Sequence, residues 1–276
     1  MFTFLSSLRT APLSAQFGIL IICIYLIAMV FAPWIAPYGE TEILGSAFEP
    51  WSSTYLLGTD SLGRDMFSRI IYGARNTVGI ALATTILAFL VGGLLGIVAA
   101  VMGGIVDQLL SRTVDVLMAI PSLIFALLIL TIVGTSTSSL ILVIATLDST
   151  RVFRLARSVA QTVVVMDYVE AARYRGEGLW WIIRYEVLPN ISSPLIAEFG
   201  LRFCFVFLFI SALSFLGLGT QPPLADWGSM VRDNATLITF GDITPLIPAS
   251  AIALLTIAIN FVVDWKLHNA SGLKDE

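Results

Sequence analysis

The chain is 276 residues long, 57% hydrophobic and only 12% charged, against roughly a quarter charged in soluble domains. Water cannot solvate that composition, so most of the chain belongs in lipid. The net charge of −4 argues for no nucleic-acid partner, and a single histidine, His268, excludes a histidine-rich metal site and a histidine-based catalytic triad. Cys23 and Cys204 lie in apolar runs and form neither a disulfide framework nor a CxxC pair.

The first element is the charge-free run 10–39, which follows Arg9. A signal h-region would be roughly 7–15 residues, so this run reads as an uncleaved first span. Further charge-free stretches cover 76–106, 116–147, 203–225 and 243–263. As one helix, 116–147 would reach roughly 48 Å, well beyond a hydrocarbon core of about 30 Å. Its polar break Gly134-Thr135-Ser136-Thr137-Ser138-Ser139 divides it between two spans. The reading is an all-α polytopic membrane protein with six transmembrane helices near 16–36, 77–101, 113–133, 138–160, 191–218 and 245–265. An N-terminal part, 1–75, holds the first span and an outer loop. Residues 76–276 hold a core of five spans.

Lys and Arg set the orientation. With the N-terminus inside, Arg9, Arg112, Arg151, Arg154, Arg157, Arg173, Arg175, Arg184, Lys266 and Lys274 fall on the inner side. Arg64, Arg69, Arg75 and Arg232 fall outside. That excess predicts N-in and C-in. Arg151, Arg154 and Arg157 recur at every third position, a spacing shared with voltage sensors, but they follow Asp148 toward the inner end and read as inner-flank anchors. Gly92 and Gly96 form a GxxxG that lets helices approach closely. Pro121 lies inside the third span and is expected to kink it.

The loop between spans four and five, near 165–190, is the most informative segment. Met166-Asp167-Tyr168-Val169-Glu170-Ala171-Ala172-Arg173-Tyr174-Arg175-Gly176 predicts a short capped helix of about eight residues, roughly 12 Å long. Asp167 is expected at the N-cap, with Glu170 completing a capping box. Arg173 and Arg175 sit at the negative end of the dipole, and Gly176 fits the C′ position, which commonly needs φ > 0. Such a helix is marginal alone in water. Ala171 and Ala172 leave room for a partner surface. From the residues alone it is either a plain connector or a lever pushed by a cytoplasmic protein.

Glu170-Ala171-Ala172, then Gly176, then Leu188-Pro189 resembles the EAA signature of ATP-binding-cassette importer permeases. Gly58-Thr59-Asp60-Ser61-Leu62-Gly63-Arg64-Asp65 with Ser68-Arg69 is similar to the dipeptide, oligopeptide and nickel branch of that family. So is Leu213-Ser214-Phe215-Leu216-Gly217-Leu218-Gly219 with Gln221-Pro222-Pro223 and Trp227-Gly228. Arg154 and Arg157 match arginines leading into the loop, and the likeness runs from about 50 to 235. The resemblance implies a multi-pass permease of the bacterial inner membrane that imports peptides or peptide-like solutes. It implies a homologous second permease, one or two ATPases and an extracytoplasmic solute-binding protein. The short helix then becomes a cytoplasmic coupling helix, with Asp167, Glu170, Ala171, Ala172, Gly176, Leu188 and Pro189 at the ATPase contact. ATP and Mg would sit on the ATPase, with no cofactor on this chain. The chain itself has no GxxxxGK[ST] segment to cradle phosphates.

Glu198 and Arg202, spaced i, i+4, are either an ion pair or part of a polar translocation path, with Ser214 and Pro121 as further candidates for its lining. Asp60, Arg64, Asp65 and Trp227 are candidates for contact with the binding protein, unless the outer loop packs on its own bundle. No catalytic residue and no metal ligand set is expected. The rival readings are a stand-alone secondary transporter or channel, which would work without an ATPase, and a membrane-embedded enzyme, which would need a clustered nucleophile and base.

Overall fold

The computed structural model describes residues 11–271; the expectations for Arg9 and Lys274 lie outside them. The described chain is helical: α1 (Leu13–Ile35), α2 (Met66–Met102), α3 (Gly104–Ala119), α4 (Ser122–Val133), α5 (Thr137–Val164), α6 (Asp167–Tyr174), α7 (Leu179–Phe215), α8 (Trp227–Asn234) and α9 (Leu246–Ser271). Helices α2 and α7 are widened by π turns, at Ala74–Val78 and Phe89–Gly93 in α2 and at Ile182–Val187 in α7. The last of these turns ends just before Leu188-Pro189, and Pro189 has no N–H to offer the helix.

Among the described residues four helices are long and apolar enough to cross a membrane: α1, α2, α7 and Leu246–His268 of α9. A fifth crossing exists if α3 and α4 form one broken span. Helix α5 occupies the place expected for span four and is 28 residues long, but Asp148, Arg151, Arg154 and Arg157 make its middle polar.

The segment expected to form the third span is not a kinked helix. α3 and α4 meet at 87° with Pro121 between them rather than inside either. Ile120 is extended, at φ −89° and ψ 130°. A residue before proline is pushed out of the α region, and here that preference ends the helix outright.

The chain divides into two compact units. One is built from residues up to 82, 133–140 and 204 onward; the other from 83–132 and 141–203. The expected division after residue 75 falls inside the first unit.

In the first unit α1 lies against α9 at Gly18, where a Cβ would stand 2.4 Å from the Ala258 carbonyl oxygen. The Tyr25 hydroxyl donates to the Ala251 carbonyl at 3.0 Å, and its ring meets Trp227 edge-on at 5.4 Å. In the second unit the GxxxG of α2 works as helix packing: a Cβ at Gly92 would fall 2.2 Å from the Ser149 carbonyl oxygen and one at Gly96 2.6 Å from that of Phe153. Below that seam Ile97 and Val101 of α2, Ala156 and Ala160 of α5, and Ile183 and Val187 of α7 form an apolar core.

Candidate functional site

α6 spans eight residues, as its sequence predicts, but its N-cap is Met166, extended at φ −79° and ψ 145°, with no side-chain cap. The Val169 and Glu170 amides donate to the Met166 carbonyl at 2.9 and 3.2 Å. Asp167 is therefore the first helical residue and no capping box forms. Asp167 and Glu170 still lie in the first turn, where negative charge favours the dipole. The C-terminus closes as expected: Gly176 adopts φ +82°, its amide donates to the Arg173 carbonyl at 2.9 Å, and Glu177 donates to that of Ala172 at 3.2 Å. These two bonds make a complete Schellman motif.

One face of α6 is locked to the second unit's core. Val169 and Ala172 are fully buried there, and the Arg173 guanidinium donates to the Val101 carbonyl at 3.0 Å. Ala172 thus makes room for its own bundle, which corrects the expectation that both alanines face a partner. Ala171 is exposed, and Tyr168, Tyr174, Leu188 and Pro189 are exposed with it. The result is a rigid, short helix anchored along one side and bare along the other.

The second unit also collects the arginines of α5 and α7. Arg202 pairs with Glu198 at 2.7 Å and stands 3.6 Å from Asp148, and Arg151 stands 3.6 Å from the same carboxylate. Asp148 is buried and lies half-way along α5. Arg154 pairs with Asp115 at 2.7 Å, and Arg157 binds Asp107 through two nitrogens. Each arginine of the ladder therefore has an acid. Asp148 was not legible as part of this group, because nothing in the spacing of α5 points to Arg202 on α7.

In the first unit the four residues expected to contact a binding protein turn inward. Asp60 accepts from Arg64 Nε at 2.7 Å and from the Leu62 and Arg64 amides at 2.8 and 3.0 Å, with Arg69 Nε at 3.2 Å. Asp65 caps α2 by accepting from the Ser68 amide at 2.8 Å and its hydroxyl at 2.6 Å. Arg64 and Arg69 both reach the Pro223 carbonyl. Trp227 is buried, and its indole N–H donates to the Ile70 carbonyl at 3.0 Å. Charges packed against apolar helix ends must pair, so this motif is spent on holding the loop. The bare apolar side chains nearby are Ile43, Trp51, Leu56 and Leu62. Ser214 is also buried, under the turn at Gly219, so in this unit it faces packing rather than a passage.

Two residues that carry this packing were missed. Glu40 accepts from the Asn76 side chain at 2.7 Å and from the Ala225 amide at 2.5 Å. Asp226 caps α8 by accepting from the Ser229 amide at 2.9 Å and also accepts from the Thr77 hydroxyl at 3.1 Å. Burial pushes the Asp226 carboxyl above the ordinary carboxylate range, against those hydrogen bonds. The Asp226-Trp227 pair before a helix start is an N-cap signal that the sequence does offer. Among the described residues no group of three or more His, Cys, Asp or Glu could hold a metal ion.

The described residues thus assemble a short helix anchored along one face and a network of paired charges. The chain is 35% identical over 268 residues to the di/tripeptide transport system permease protein DppC of Pseudomonas aeruginosa strain UCBPP-PA14, covering 92% of this chain and 88% of that protein. It is 32% identical to the probable D,D-dipeptide transport system permease protein DdpC of Escherichia coli K12, covering 93% and 86%. A putative peptide transport system permease protein of Brucella suis biovar 1 matches at 34% identity over 95% of this chain and 86% of its own. Residues 92–269 match the family described as binding-protein-dependent transport system inner membrane component. The chain belongs to that family and is an inner-membrane permease subunit of an ATP-binding-cassette importer, not itself an enzyme.

Proposed function

We propose that this permease imports short peptides, and that separate ATPase subunits drive it through α6. The cargo class rests on the relatives, which are di/tripeptide and D,D-dipeptide permeases. The observation that carries the coupling is the two-sided character of α6. Its buried side is fixed to α2, α5 and α7 by Val169, Ala172 and Arg173, while Ala171 and Tyr174 are bare. A push on the bare side moves the core helices with it, because a packed core transmits displacement rather than absorbing it.

The full proposal has six spans with both termini inside. The broken pair α3–α4 counts as one span and α5 as another, its charges compensated within the unit. A homologous second permease, one or two ATPases carrying ATP and Mg, and an extracytoplasmic binding protein complete the assembly. ATP binding closes the ATPases and alternates the bundle between inward and outward access. Broken helices also occur in stand-alone transporters, and dependence on ATP separates the two. The test is uptake of labelled trialanine into proteoliposomes holding the whole assembly. Uptake that requires both enclosed ATP and the binding protein is expected. Uptake driven by an ion gradient without ATP would overturn the reading.

A further inference from the structure

At the break between α3 and α4 the second unit holds a hollow of about 220 Å³. Its walls include Ile120, Pro121 and Ser122 at the break, and Leu147, Thr150 and Arg151 from the middle of α5. We propose that this hollow is a cargo subsite in which Arg151 receives the terminal carboxylate of the transported peptide. The inference rests on the peptide reading above and assigns one end of the cargo to one residue.

Arg151 is the one charged side chain among the residues lining the hollow. A guanidinium presents five N–H donors in a rigid fork that matches a carboxylate. The α4 side of the break adds positive partial charge. The first backbone bond of α4 runs from the Phe125 amide to the Pro121 carbonyl at 3.0 Å, so the amides of its opening turn point out of their own helix toward the break. Broken backbone within a membrane protein is tolerated where it lines a cavity.

The hollow also has a built counter-charge behind it. Asp148 is buried and stands 3.6 Å from both Arg151 and Arg202. Asp148 balances the two guanidinium groups at ion-pair distance. Arg202 is engaged by Glu198 at 2.7 Å on its other side. Arg151, half-buried, also lines the hollow. An incoming carboxylate there completes an alternating row of charges: carboxylate, Arg151, Asp148, Arg202, Glu198.

The experiment uses the assembled transporter in nanodiscs without its binding protein, and compares trialanine with trialanine amide by saturation-transfer NMR titration. Wild type is expected to bind trialanine at least tenfold more tightly than the amide. Arg151→Gln should bring both to the same weak level, and Arg154→Gln, whose partner is Asp115, should keep the wild-type preference. The charge-balanced double variant Arg151→Gln/Asp148→Asn should lose the preference as well, and it covers the case in which the single variant fails to assemble. Wild type binding both peptides equally, or neither, overturns the subsite, as does a preference retained without Arg151. Uptake with the binding protein present separates the two levels. Trialanine transported without any such preference refutes the subsite alone, whereas no peptide transported refutes the cargo class and the subsite with it.

Discussion

Asp148, Glu198 and Arg202 illustrate what a charge needs inside an apolar bundle. Removing one member of a buried pair typically costs about 3–5 kcal/mol, because the other is left uncompensated. Arg202→Leu leaves Asp148 with Arg151 alone and Glu198 with none of the partner it holds at 2.7 Å. A large fall in folded, detergent-extracted yield is expected, with partial recovery in Arg202→Leu/Glu198→Leu; recovery absent from the double variant would show that the pair is not the source. Asp226 makes the complementary case. Burial raises its pKa from 3.8, so the folded chain keeps the proton to higher pH than the unfolded chain does. Its contribution to stability is full below about pH 3.8 and is lost as pH rises through the folded value. Asp226→Asn keeps a capping oxygen and should flatten that slope in thermal unfolding, whereas Asp226→Ala should flatten it equally and be less stable than Asp226→Asn by about 1 kcal/mol for the lost cap. An unchanged slope in the Asn variant would contradict this reading of Asp226.

Helix packing in the second unit is decided by where a methyl group fits. Gly92 and Gly96 face backbone oxygens at 2.2 and 2.6 Å, whereas a Cβ at Gly93 would meet nothing closer than Val152 at 4.0 Å. Gly96→Val should therefore sharply lower folded yield and Gly93→Ala should not; equal yields by fluorescence-detected size exclusion would refute the seam. This seam was readable from GxxxG spacing, as were the eight-residue length of α6 and the glycine cap at Gly176, because they depend on neighbours three to five residues apart. The rest was not. Which alanine of α6 faces the core depends on α2, α5 and α7, and the inward turn of Arg64 and Arg69 depends on the carbonyl of Pro223, far along the chain. Pro121 was visible as a disturbance, but the sequence did not distinguish a kink from an 87° break. The same logic separates the two alanines experimentally. Ala172→Arg should reduce the amount of permease in the membrane, because that side chain has no room. Ala171→Arg should leave the amount unchanged while releasing the ATPase on purification.

As a whole the chain is a permease whose polar chemistry serves position and transmission rather than bond making. Its family membership rests on sequence alone, and the structure adds the part that membership does not supply: which surfaces are already used internally and which are bare. Tyr174 and Phe240 are almost equally exposed, at 83% and 84%, yet only the first lies on the proposed coupling helix. A photo-reactive benzoylphenylalanine placed at each position, in turn, in the assembled transporter tests the coupling directly. Irradiation is expected to join the ATPase to the Tyr174 variant and not to the Phe240 variant. An ATPase adduct at Phe240, or none at Tyr174 in an assembly that still hydrolyses ATP, would contradict coupling through α6.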